Sequence, residues 1–242
     1  MLKVQNLKKH FGGVKAINGS SFNVEPGKIT ALIGPNGSGK TTVFNIISGI
    51  VEEDGGKVKL GKKDITHDGP DKVANKGVSR LFQKSALFEN MSVKENLSLA
   101  IDNEDVKFWK NLFSEPKRSE ERIKEILKMV EMNGFENKRA EDLSFGQKRL
   151  VEIGRSILKK HDMLMLDEPV AGVNPKVRDK IKEILLDMKK QGKTVFLVEH
   201  DMNFTFDVAD KIIVMDHGKV IAEGTPKQIK NNKKVLDAYL GE

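Results

Sequence analysis

With 242 residues the sequence can build one substantial core and a smaller satellite, but not several independent domains. Its 42 Lys and Arg against 35 Asp and Glu give a net charge of +7, scattered along helical faces; this reads first as a solvated surface and second as attraction to anionic lipid or nucleic acid. Cysteine is absent, which excludes disulfides and thiolate metal sites within the chain and suits a reducing compartment; the opening Met1-Leu2-Lys3-Val4 is no signal peptide and no apolar run nears the ~18 residues of a membrane span, so a soluble chain is expected.

Residues 1–33 alternate apolar and polar side chains around the turn signals Gly12-Gly13 and Pro26-Gly27, which predicts strands. Phe11 is either a face for a flat base to stack on or an edge aromatic. The apolar run Ile29-Thr30-Ala31-Leu32-Ile33 then breaks at Gly34-Pro35-Asn36-Gly37-Ser38-Gly39, and Val43, Phe44, Ile46 and Ile47 resume with helical spacing. The order is strand, glycine-rich loop, helix. Residues 34–41 fit G-x-x-x-x-G-K-[ST], and each fixed position has a chemical reason. Glycines let backbone N–H groups close on a phosphate, Lys40 adds a mobile positive charge, and Thr41 offers a hydroxyl to magnesium. The positive end of the helix dipole points at the same anion. This stretch predicts nucleotide binding, against the plainer reading of a glycine-rich turn.

Lys57 to Leu60 reads as a strand, and Val78-Ser79-Arg80-Leu81-Phe82 as another that stops just before Gln83. Gln83 is either an amide able to hold magnesium or water, or an ordinary surface side chain. From residue 84 to about 160 the period becomes helical. Ser92 with Glu95 forms a capping box, and Ile123, Ile126, Leu127 and Val130 share one apolar face. Between them, residues 102–118 are charged and interrupted by Trp109 and Pro116, a helical insert or loop. Ser144 with Gln147 is a second capping box, opening a helix through Leu150, Val151, Ile153 and Ile157; its N-terminus, with Gly146, is also a place for an anion.

Met163-Leu164-Met165-Leu166 reads as a buried strand with Asp167 and Glu168 at its carboxyl end, where parallel sheets bind ligands. There Asp167 could hold magnesium through water and Glu168 could orient and polarise the water that attacks a γ-phosphate. Asn174 and Pro175 open the next helix, and Gly192 closes it. The strand 194–198 ends in Glu199-His200-Asp201, so His200 would project toward the nucleotide and could donate to its terminal phosphate, although a lone histidine is usually structural. Residues 211–223 read as a hairpin around His217-Gly218, followed by a helical tail from Thr225-Pro226.

This series of phosphate loop, glutamine, Leu143-Ser144-Phe145-Gly146-Gln147, Asp-Glu strand and histidine strand resembles the ATP-binding cassette (ABC) ATPases over essentially the whole chain. The resemblance implies an α/β fold, a P-loop NTPase core with an antiparallel β subdomain and an inserted helical subdomain. It implies one domain over 1–242, with 1–83 and 161–242 as nucleotide-binding core and 84–160 as helical subdomain carrying the signature. Its ligands would be ATP and Mg2+. Asn36, Gly37, Ser38, Gly39, Lys40, Thr41 and Thr42 then lie in the Walker A loop, Phe11 at the adenine, and Thr41, Gln83 and Asp167 at the metal. Glu168 corresponds to the catalytic glutamate and His200 to the switch histidine, with Gln83 and Lys40 as further catalytic groups.

Family members bind ATP between two head-to-tail copies, so Ser144, Gly146 and Gln147 would complete the site of a second ABC ATPase subunit, identical or homologous. Phe145 stands where the family usually has glycine, and Asn174 where it usually has aspartate. Both features, with Glu199-His200-Asp201-Met202 and the ending Ala238-Tyr239-Leu240-Gly241-Glu242, resemble the subgroup that powers branched-chain amino acid importers. Transmembrane permease subunits and a substrate-binding protein would be the partners, and the cytoplasmic face of the membrane the location. Urea, amide or lipid transport is the alternative. A nucleic-acid maintenance ATPase is disfavoured because Lys40 and Asp167 lie in one short chain without sustained heptads between them, and no nucleic acid is expected. Residues 84–88 are expected to border the groove for a permease helix.

Overall fold

The computed structural model describes residues 1–82, 87–102 and 116–240. Strands β1 (Leu2–Phe11) and β2 (Val14–Val24) pair antiparallel across Gly12-Gly13, while β3 (Ile29–Ile33) leads through the glycine-rich loop into α1 (Lys40–Ile47). Next come β4 (Gly55–Leu60), β5 (Lys63–Asp64), α2 (Pro70–Asn75) and β6 (Val78–Leu81). The described chain between β6 and the next strand is helical: α3 (Val93–Asp102), α4 (Pro116–Met129) and α5 (Phe145–Leu158). Pro116 is the first residue of α4 rather than a break, because a proline lacks only an N–H that a first-turn residue would leave unbonded. Strands β7 (Met163–Asp167) and β8 (Thr194–Val198) flank α6 (Pro175–Lys190); α7 (Met202–Val208), the hairpin β9 (Lys211–Asp216) and β10 (Lys219–Gly224), and helices α8 (Pro226–Lys230) and α9 (Lys233–Leu240) follow.

Among the described residues the strands form two sheets. One, ordered β2-β1-β4-β5, is antiparallel; the other, β10-β9-β3-β8-β7-β6, is parallel except for its terminal hairpin. Both faces of the parallel sheet are covered, so its strands read as unbroken apolar runs. Their alternation divides the core in two. Met163, Met165, Phe196, Val198, Ile213 and Met215 pack with α1 and the antiparallel sheet, while Leu164, Leu166, Val195, Leu197, Ile212 and Val214 pack with the helices of the other face. Phe196 is fully buried 4.9 Å from Phe44 of α1 and 5.8 Å from Phe22 of β2, ring to ring. Truncating such a side chain costs about 3–5 kcal/mol, and here it would loosen the helix that carries the phosphate loop.

Candidate active site

Strand register sets the site before side chains are considered. Leu32 of β3 lies opposite Val198 of β8, and Val198 lies opposite Asp167 of β7. The loops leaving these three strands therefore start side by side at the carboxyl edge of the sheet, where open α/β folds bind ligands.

The loop between β3 and α1 is closed by contacts that only glycine allows. Gly34 has φ 152°, and a Cβ there would stand 2.0 Å from the Met215 carbonyl oxygen; at Gly39, with φ 103°, it would stand 2.6 Å from that of Ala16. Gly218 N donates to the Ser38 carbonyl at 3.0 Å, tying the loop to the β9–β10 hairpin. Gly39 caps α1 through its backbone alone, and no capping side chain covers the helix N-terminus, the end to which anions bind. The Lys40 side chain differs from the expected mobile charge. It is buried, and its ammonium donates to the carbonyls of Gly34 at 2.7 Å and Pro35 at 2.8 Å, with the Ser38 hydroxyl at 3.4 Å. A buried cation needs acceptors, and the loop's own carbonyls are within reach.

A cavity of about 370 Å³ opens above this loop. Asn36, Gly37, Gly39, Lys40, Thr41 and Thr42 line it together with Glu168 and His200, and Val14, Lys15, Ala16 and His217 line it as well. Ser38 faces an adjoining cavity. Phe11 is absent from the lining but pairs with Val14 across β1 and β2, so it stands at the rim; its ring is half exposed, with the Lys9 ammonium 5.5 Å from the centroid. Gln83 lies outside the described residues.

Asp167 continues the face of β7 that carries Met163 and Met165, toward α1. Its Oδ2 accepts from Arg80 Nη2 at 2.8 Å, with both side chains buried, and Arg80 Nη1 also donates to Asn45 Oδ1 of α1 and to the Oγ of Ser48, which caps that helix. Glu168 holds a left-handed backbone, φ 49°, while its N–H still donates to the Val198 carbonyl at 2.9 Å. Its Oε1 lies 3.0 Å from His200 Nε2. No group of three or more His, Cys, Asp or Glu side chains able to hold a metal occurs among the described residues. A metal here would have to draw on hydroxyl, single carboxylate, phosphate and water oxygens. Thr41 and Asp167 supply oxygens of that kind, which suit magnesium.

The helix beginning at Phe145 contributes nothing to the cavity lining. Ser144 Oγ accepts from Gln147 N at 3.3 Å while Gln147 Oε1 accepts from Ser144 N at 3.0 Å, the capping box its spacing predicts. Gly146 abuts Val177 of α6, whose Cγ2 would lie 2.8 Å from an added Cβ. Phe145 is mostly exposed beside Gly172.

Several buried charges escaped the sequence reading, and three of them border the site. Besides Arg80 these are Arg149, which donates to the carbonyls of Asp167 (3.0 Å), Glu168 (2.6 Å), Pro169 (3.1 Å) and Phe82 (3.1 Å), and Glu199. Glu199 Oε1 accepts from Val170 N at 3.0 Å and its Oε2 from His200 N at 3.1 Å and Asp201 N at 3.3 Å. Burial pushes the Glu199 carboxyl above its ordinary pKa, against the opposing pull of those amides. A signal existed for two of them: Arg80 interrupts a strand, and Arg149 sits on the apolar stripe of an amphipathic helix.

The family model described as "ABC transporter" matches residues 17–171, and one described as "Branched-chain amino acid ATP-binding cassette transporter" matches residues 219–242. Among curated proteins, the high-affinity branched-chain amino acid transport ATP-binding protein BraF of Pseudomonas aeruginosa is 40% identical over 100% of this chain and 98% of its own. Among solved structures, the ADP conformation of MJ1267, an ATP-binding cassette of an ABC transporter, superposes with TM-score 0.88 at 35% identity, covering 100% of this chain and 99% of the other. A dimeric post-hydrolysis state of the cassette MJ0796, bound to ADP and Pi, gives TM-score 0.81 at 27% identity over 93% and 99%.

Proposed function

Because this chain belongs to the ABC transporter ATPases, we propose that it is the ATP-hydrolysing subunit of an importer for branched-chain amino acids, acting as one half of a head-to-tail pair. The observation that carries the catalytic part is the single cavity in which the phosphate loop faces the Glu168–His200 pair. The solute class rests on the likeness to BraF and on the C-terminal match.

In this reading the amides of residues 36–42 and the Lys40 ammonium hold the β- and γ-phosphates, the ammonium exchanging the carbonyls of Gly34 and Pro35 for phosphate oxygens. Phe11 stacks on the adenine at the rim. Thr41 and Asp167, with Gln83 as the sequence implies, would hold Mg2+, which when bound would supply neutralisation of phosphate charge. Glu168 accepts a hydrogen bond from the attacking water and polarises it, and His200 donates to the γ-phosphate. Ser144, Gly146 and Gln147 serve the nucleotide of the second subunit, whose own signature helix completes this site. A monomer then hydrolyses ATP poorly.

Transport requires permease subunits. A groove of about 320 Å³ is lined by Phe82, Phe88, Leu99, Ala100 and Arg155, and a cytoplasmic permease helix docks there; of the expected stretch 84–88, residues 84–86 lie outside the described residues. In this reading the chain works at the cytoplasmic face of the membrane, and a substrate-binding protein delivers solute on the other side.

The test is Glu168→Gln. It should keep ATP binding, trap an ATP-bound dimer visible by light scattering, and cut phosphate release to a residual rate that only single-turnover measurements resolve. Hydrolysis at the wild-type rate would remove Glu168 from this role. Co-expression with candidate permease subunits of a branched-chain amino acid importer, followed by leucine and urea uptake into vesicles, tests the solute; urea uptake without leucine uptake would overturn the amino acid assignment.

A further inference from the structure

Glu168 is a non-glycine residue in the left-handed region, a conformation that persists only where surroundings over-determine it. Those surroundings are two buried side chains of opposite charge. From one side Arg149, on the signature helix α5, draws in the carbonyls of Asp167, Glu168 and Pro169. From the other, Glu199 at the end of β8 takes the Val170 amide on Oε1 and the His200 and Asp201 amides on Oε2. Glu199 thus bridges the loop that bears Glu168 and the loop that bears His200, the two residues whose side chains meet at 3.0 Å.

We infer that Arg149 and Glu199 are positioning residues, a two-sided clamp that sets where the Glu168 carboxylate stands relative to His200 and the phosphate loop. The inference rests on the roles given above to Glu168 and His200. The geometry also joins the signature helix to the catalytic glutamate by direct hydrogen bonds, so a shift of α5 on engaging the second subunit's nucleotide is felt at Glu168.

Glu199→Gln is the discriminating variant, because it changes the clamp and little else. The carboxylate offers acceptors to both loops, whereas an amide offers one acceptor and one donor, so either Val170 N or the His200 and Asp201 amides must face an N–H group. The neutral side chain has the same shape and is cheaper to bury, which protects folding. A misplacement on the order of an ångström costs about a hundredfold in rate. The variant should therefore lose about a hundredfold in kcat while ATP affinity, measured with a fluorescent analogue, stays within about twofold and Tm stays near that of the wild type. Arg149→Lys, which keeps the charge without the fork, should show the same split. In single-turnover measurements with radiolabelled ATP, Glu199→Gln in a Glu168→Gln background should cost nothing further, since both act through one group.

Wild-type kcat in Glu199→Gln, with Glu168→Gln at its residual rate, overturns the clamp alone. So does a loss of rate matched by loss of ATP affinity and Tm, or a full further loss in the Glu168→Gln background. Wild-type turnover in Glu168→Gln overturns the underlying reading and the clamp with it.

Discussion

Replacing Arg80 by Met tests whether the acidic end of β7 is as desolvated as its surroundings imply. The Arg80 and Asp167 side chains are 6% and 7% exposed and meet at 2.8 Å, so solvent screens the pair little. Methionine keeps an apolar stem but removes the guanidinium, whose carbon lies 5.6 and 4.9 Å from the Phe44 and Phe82 ring centroids. Asp167 is then left charged and buried without its partner, and the Asn45 and Ser48 acceptors lose a donor. Removing one member of a buried pair costs about 3–5 kcal/mol. For a chain of this length each kcal/mol moves Tm by about 2–4 °C, so the expected fall is roughly 6–20 °C. Urea unfolding of wild type, Arg80→Met, Asp167→Asn and the double variant measures it as a cycle. The double variant should be more stable than Arg80→Met, because no stranded carboxylate remains. A loss below about 1 kcal/mol, the range of exposed pairs, would refute the argument.

Other predictions follow from single contacts. Ser144→Ala removes the hydroxyl half of a capping box and should cost about 1 kcal/mol in urea unfolding; ATP binding to the isolated chain should be unchanged while hydrolysis in the assembled pair collapses, and an equal loss of affinity in the monomer would refute a role across the interface. Asp54 is held down to a pKa of about 2 by the Lys9 ammonium and then the His10 amide. Because that folded value lies below the ordinary 3.8, its stabilisation is present above pH 3.8 and lost as pH falls toward 2. A carboxyl NMR titration should place the midpoint near 2, and Asp54→Asn should flatten the stability curve in that window; a midpoint near 3.8 would refute the assignment.

What could be read from the sequence was what short-range chemistry controls. The phosphate loop is one contiguous motif, and the boxes at Ser92–Glu95 and Ser144–Gln147 and the Asn174–Pro175 helix start involve partners within three residues, so residue type and spacing suffice. The buried strands were legible for a similar reason, since covering both faces of a sheet leaves an unbroken apolar run. Gln83 stays an expectation from sequence, outside the described residues.

Long-range partners were decided only by the fold. Nothing in the spacing of Arg80 and Asp167, 87 positions apart, or of Val170 and Glu199, 29 apart, announces that they touch. Those pairings exist because β7 lies between β6 and β8 in the sheet, an order that hydrophobic alternation leaves undetermined. The same holds for Lys40, whose resting acceptors appear only when the loop closes. Sequence by itself marked the candidates for phosphate chemistry, because each motif that carries them is a contiguous stretch; tertiary structure alone decided which buried charges hold them in place, because a buried charge finds its counterpart through the packing of distant elements.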